Sequence, residues 1–93
     1  MTRFTVVWDS DLEADFVRFW TGAGSDLRAL LTHASNWLDD RLSHAPASLG
    51  QVVEGEPYRI MIVPGTQSPR VEVVYQVLPE DRLVRILSIR LRD

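Results

Sequence analysis

Hydrophobic and polar residues alternate with a spacing that changes along this chain, and the changes mark its elements. Phe4–Trp8 (FTVVW) is a β-branched and aromatic run, which predicts a first strand ending at Asp9-Ser10. Ser10-Asp11-Leu12-Glu13 then has capping-box spacing: the Ser10 hydroxyl can meet the Glu13 amide while the Glu13 carboxylate reaches back. Leu12, Phe16 and Phe19 or Trp20 recur at helical spacing, with Asp11, Asp15 and Arg18 off that stripe. Thr21-Gly22-Ala23-Gly24 interrupts the pattern. Ser25 is placed to cap a second helix, with Asp26 in the first turn, where the helix dipole favours an anion. Leu27, Leu31, Ala34, Leu38 and Leu42 form a stripe on that helix, broadened by Leu30 and Trp37, and the helix should end between Ser43 and Pro46. Two helices with one apolar face each and a short break between them predict an antiparallel hairpin.

From Ala47 to Pro57 no period holds, and Gly50, Gly55 and Pro57 point to a loop. The period then becomes two. Tyr58–Val63 (YRIMIV), Val71–Leu78 (VEVVYQVL) and Arg82–Leu91 (RLVRILSIRL) predict three strands, joined by Pro64–Pro69 and by Pro79-Glu80-Asp81. Connections this short make an antiparallel meander. The order is β-α-α-β-β-β, an α+β fold in one domain over 1–93, with the helical hairpin packed on a small antiparallel sheet. In the last strand Leu83, Leu87, Ile89 and Leu91 form the expected buried set. Strict alternation sends Arg85 and Arg90 to opposite faces, with Arg82, Arg90 and Arg92 on the open side.

Composition narrows the classes. Ninety-three residues, 45% of them hydrophobic, suffice for one core. The chain has no cysteine, which excludes disulfides, thiolate metal sites and a cysteine nucleophile. No apolar run is long enough for a membrane span, and Asp9, Asp11, Glu13 and Asp15 break any signal-peptide pattern, so a cytoplasmic address is expected. All ten basic residues are arginine. Charge is divided unevenly. Asp9–His44 carries seven acids against three arginines, a net of −4, whereas Pro57–Asp93 carries six arginines against four acids, a net of +2. Arginine on a sheet face can grip phosphate or carboxylate bidentately, or it can simply keep an open antiparallel face wet. The formal charge of −3 weighs against tight sequence-independent binding to nucleic acid.

A strand, an acidic helical hairpin and a meander that begins YRI, runs through VVYQV and closes on ILSIR resembles the RelE/ParE superfamily of toxin–antitoxin toxins. The resemblance spans about residues 3–91 and rests on element order with a few loose positions. It implies a toxin-like component of a type II toxin–antitoxin module, acting on mRNA and the translation machinery, as RelE does, or on gyrase, as ParE does. A cognate antitoxin is the implied partner. Arg59 matches a basic sheet position of the family, the next expected arginine falls on Glu72 with Arg70 two residues away, and the last strand offers Arg90, Leu91 and Arg92 where the family places a His, Lys or Tyr. The implied phosphate, RNA or partner contacts are thus Arg59, Arg70, Arg82, Arg90 and Arg92. The usual proton-shuttle residues of the nuclease branch are missing, since arginine stabilises anions but rarely moves protons. Glu54, Glu56 and Glu72 remain as general bases for any residual cleavage, although Glu54 and Glu56 also read as an acidic surface loop.

Other side chains carry weaker signals. Tyr58 and Tyr75 can stack on a base or donate a proton, but also fit as strand residues with the hydroxyl at the rim. His33 and His44, eleven positions apart on one helix, lie about 16 Å apart, too far to share a metal. No metal or cofactor is expected. His44 suits the carbonyl end of the second helix. Trp8 and Trp37 are expected in or beside the core; Trp20, at a helix end, can form an exposed patch for a partner, although large aromatics of each kind more often fill the core. The alternative to a toxin is a non-enzymatic interaction module with the same fold, as a homodimer or bound to a small helical partner.

Overall fold

The computed structural model describes residues 3–66 and 69–92. Strand β1 (Thr5–Trp8) passes through Asp9 alone into helix α1 (Ser10–Gly22). Ala23-Gly24 leads to α2 (Ser25–His44), and a single 3₁₀ turn (Pro46–Ser48) leads to β2 (Gln51–Val52), β3 (Arg59–Ile62), β4 (Arg70–Leu78) and β5 (Leu83–Arg92). The strands form one sheet in the order β1-β5-β4-β3-β2. Four of them pair antiparallel, whereas β1 lies parallel to β5 with Val6 opposite Val84. The sheet is therefore mixed, where an antiparallel one was expected. The helical hairpin between β1 and the meander is the crossover that a parallel pairing needs.

The α2 stripe builds the core. Leu31, Ala34, Leu38 and Leu42 are buried, and all but Leu31 belong to one cluster with Val63, Val71, Val73, Tyr75, Val84 and Ile86. Helix α1 has no buried residue; its Leu12 packs against the cluster from outside. The two helices run antiparallel, with Trp20 Nε1 donating to Thr32 Oγ1 at 3.1 Å. Arg28 joins them at the break: its Nε donates to the Trp20 carbonyl at 3.0 Å, its Nη2 to the Thr21 carbonyl at 2.6 Å, and its guanidinium lies 4.7 Å from the Trp20 ring centre. A cation thus satisfies carbonyls at the α1 C-terminus, where the helix dipole favours one.

The helix caps differ from the expected ones. Ser10 is the first residue of α1, the N-cap is Asp9, and no side chain caps the helix. With only Asp9 between strand and helix, the Asp9 carbonyl accepts from the Glu13 amide at 2.8 Å, so the register predicted for a Ser10–Glu13 box is shifted by one. Likewise Gly24, not Ser25, precedes α2. His44 fulfils its expected role, with Nδ1 2.7 Å from the Asp40 carbonyl near the end of α2.

The unpatterned stretch after α2 is fixed from inside. The buried Tyr75 phenol is shared between the Leu49 and Pro46 carbonyls at 2.6 and 2.9 Å. Gly50 follows at φ +69°, where a Cβ would lie 2.9 Å from the Ile60 carbonyl oxygen and 3.0 Å from the Tyr75 hydroxyl. Only glycine fits such an approach. The chain can then lay Gln51 and Val52 beside β3, a two-residue strand too short to show a period. Of the predicted Pro64–Pro69 turn, residues 67 and 68 lie outside the described residues; Thr66 Oγ1 donates to the Val63 carbonyl at 2.6 Å and accepts from the Val71 amide at 3.1 Å.

Candidate functional site

Both helices cover one face of the sheet, and the other face is open. Register assigns the side chains to each. On β4, Val71, Val73 and Tyr75 point to the core, so Arg70, Glu72, Val74 and Gln76 point outward. Across β4, Arg92 faces Arg70, Arg90 faces Glu72 and Arg85 faces Gln76. Arg85 in turn neighbours Val7 of β1, while Ile60 and Ile62 of β3 stand beside Val74 and Glu72. The open face is an apolar centre with arginines toward both ends of β5.

A bulge makes this arrangement. Val74 pairs with Ser88 and Tyr75 with Ile86, so Leu87 has no partner of its own. Before the bulge Val84 and Ile86 point inward; after it Ile89 and Leu91 pack toward the core. The extra residue resets the alternation and puts Arg85 and Arg90 on the same face, against the expectation of opposite faces. The expected buried set changes accordingly: Val84 and Ile86 are fully buried, whereas Leu87 is 38% exposed. The sequence carried a trace of this, because apolar pairs at 83/84 and 86/87 fit no single period of two.

The proposed site residues divide among several places. Arg70, Glu72, Arg90 and Arg92 share the open face, with Arg92 Nη2 3.4 Å from Glu72 Oε1. Arg85, absent from the expected contacts, joins them. Arg59 does not. It pairs with Tyr75 in register and therefore lies on the helix-side face, where its Nη1 reaches the Leu49 carbonyl at 3.5 Å. Arg82 sits in the β4–β5 turn at φ +51° rather than on the open strand face, with its amide donating to the Pro79 carbonyl at 3.2 Å. Glu54 and Glu56 are exposed in the β2–β3 connection, where the Glu56 amide donates to the Val53 carbonyl at 3.0 Å. That connection adjoins the Arg59–Tyr75 row, about 10 Å along β4 from the Glu72–Arg90 row. Of the three carboxylates, Glu72 alone stands among the arginines.

No protein-family model matches the sequence, and no curated protein matches it. Solved structures do. The isolated E. coli RelE toxin superposes with a TM-score of 0.60 at 17% identity, covering 99% of this chain and 86% of that one. RelE in the intact E. coli RelBE toxin–antitoxin complex gives a TM-score of 0.58 at 17% identity, covering 99% of this chain and 98% of that one. A free double-arginine mutant of E. coli RelE gives 0.57 at 18% identity, covering 96% of this chain and 82% of that one. The chain has a RelE-like fold.

Within this RelE-like fold Tyr75, Trp8, Trp37 and His33 have structural roles. Tyr75 is wholly buried; burial pushes its phenol pKa up, and the nearby Arg59 charge offsets part of the rise. A proton held this way, on the helix side, is not available to a substrate on the open face. Trp8 packs edge-on against Phe16, centres 5.2 Å apart, and Trp37 packs on the core. Trp20 is held by Thr32 and Arg28 and remains 36% exposed. His33 Nε2 lies 3.1 Å from the Pro64 carbonyl and tethers the β3–β4 turn to α2. Among the described residues the open face thus offers guanidinium groups for anions, a strip of Val, Ile and Leu, and one carboxylate already paired with Arg92. Guanidinium groups suit anions and rarely move a proton.

Proposed function

We propose that this chain is the toxin-like half of a two-protein module, which a cognate antitoxin restrains and whose open sheet face engages a phosphate-bearing target of the translation machinery. The observation that carries the reading is that Arg70, Arg90 and Arg92 share one face, which Arg85 joins through the Leu87 bulge. The likeness to RelE, seen both alone and with its antitoxin, supports the module. Arginine forks suit the bidentate grip of RNA phosphate. Ribosome-directed binding is favoured over gyrase for that reason, and binding over cleavage, because Glu72 is the sole open-face carboxylate among the described residues. Arg59, on the helix side, falls outside this surface.

The test is induced expression of the chain alone in a bacterial host, beside an Arg85→Ala/Arg90→Ala variant at equal protein level. Rapid growth arrest with falling bulk translation, relieved in the variant, is expected. Arrest with translation intact would move the target to gyrase. Undisturbed growth despite abundant folded protein would favour the interaction module, which the negative net charge and the Glu72–Arg92 pair also support.

A further inference from the structure

The free edge of the sheet at β1 borders a groove of ≈ 680 Å³ that the toxin-like reading does not use. Main-chain geometry aims the edge into it. The Thr5 amide donates to the Arg82 carbonyl at 2.8 Å, so in this parallel pairing the N–H and C=O of Thr5 and Val7 face β5. Those of Phe4, Val6 and Trp8 face away. The Phe4 amide is taken by the Ser43 carbonyl at 2.8 Å, which leaves the Val6 N–H and C=O opening on the groove. The floor is apolar, formed by Val6, Trp8, Phe16 and Val17, and Val17 is 55% exposed. Acids stand on both walls: Glu13 from α1 and Asp39 from α2, the latter 3.4 Å from Trp8 Nε1. No arginine or histidine lines it among the described residues.

We infer that the β1 edge accepts an extended, basic segment of a protein partner, which adds a short strand through Val6 and places a lysine or arginine between Glu13 and Asp39. Edge-strand addition draws affinity from main-chain hydrogen bonds and specificity from alternate side chains. A long basic side chain fits both halves of this groove, its aliphatic stem over Trp8 and Phe16 and its charge at the acidic walls. A second copy of the chain fits poorly. Pairing β1 with its own copy would set two acidic grooves side by side, and like charges across paired strands destabilise. The inference deepens the toxin-like reading by giving its partner a chemistry, but it is read by binding and not by growth, so each can fail alone.

The probe is the peptide acetyl-TVTKTLT-amide, whose alternate residues place Val, Lys and Leu on one side, titrated into the ¹⁵N-labelled full chain. The amide resonances of Val6 and Trp8 should shift, with a Kd on the order of 100 μM. Replacing the peptide lysine by glutamate should weaken binding at least about fivefold, and Glu13→Gln/Asp39→Asn should bring the two peptides to within about twofold of each other. N-methylation of the peptide amide opposite Val6 should abolish the shifts while leaving charge unchanged. Equal binding of both peptides to the native chain overturns the inference, as does retention of the N-methylated peptide. Silence at Val6 and Trp8 up to about 2 mM peptide overturns it too. Concentration-dependent shifts of those amides without peptide would make a second copy the occupant, and would also overturn it.

Discussion

The two faces of the sheet are built from the same strands and are held to different standards. Toward the helices the centre of the sheet is filled: Val71, Val73, Tyr75, Val84 and Ile86 are fully buried, and the one phenol among them has its partners. On the open side guanidinium groups stand in water around exposed apolar residues, and the closest ion pair, Arg92–Glu72, is a loose 3.4 Å. Stability should therefore reside on the covered face and recognition on the open one. Substitutions on either side can break that division.

The largest loss is expected from Leu38→Ala. This residue is fully buried in α2, and its truncation should cost about 3 kcal/mol by chemical denaturation, as a core cavity does. Gly50→Ala follows at about 2 kcal/mol, because a Cβ at positive φ meets the Ile60 carbonyl and the Tyr75 hydroxyl together. Tyr75→Phe should cost about 1–2 kcal/mol by leaving the Leu49 and Pro46 carbonyls short of a donor. It also predicts a pH effect. The folded phenol pKa is raised above its ordinary value, so its contribution is complete below about pH 10 and is lost as pH rises toward the folded pKa. Native stability should fall in that alkaline range, and Tyr75→Phe should flatten the fall.

Smaller effects sharpen the contrast. Arg82→Gly should stabilise by roughly 0.5–1 kcal/mol, since an arginine at φ +51° occupies a region that glycine enters freely. The smallest change in stability belongs to Arg85→Ala/Arg90→Ala, whose melting temperature should stay within about 2 °C of native. Its affinity for a single-stranded RNA oligonucleotide should nevertheless drop about tenfold, with a shallower salt dependence. A comparable melting shift for that pair and for Leu38→Ala would remove the division between the faces.

Much of the covered side was legible from the sequence. Leu31, Ala34, Leu38 and Leu42 recur at helical spacing because one face of α2 is buried, and β4 announces itself by Val71, Val73 and Tyr75 at period two. What escaped depends on contacts distant in sequence. Nothing in FTVVW states that β1 lies parallel to β5, and two residues of β2 are held beside β3 by Gly50 and by a tyrosine twenty-five positions on. The site was less legible than the fold. Arg59 has the right residue type, but its facing is set by pairing with Tyr75, which local pattern does not reveal. Strict alternation puts Arg85 on the wrong side because it takes no account of the bulge. A clue existed: if Arg85 and Arg90 both seek solvent, an odd and an even position can do so only where the strand slips by one.

That slip has a consequence for how the gene can change length. Past the bulge, loss of one codon would turn every following side chain over, sending an arginine toward the core and Leu91 into water. At Leu87 the same loss is absorbed. Removing it leaves Val84, Ile86, Ile89 and Leu91 on one side and Arg85, Ser88 and Arg90 on the other, in unbroken alternation. The bulge around Leu87 is thus where a three-nucleotide deletion is expected to leave a folded product, straighter in β5 and still presenting its arginines on one face.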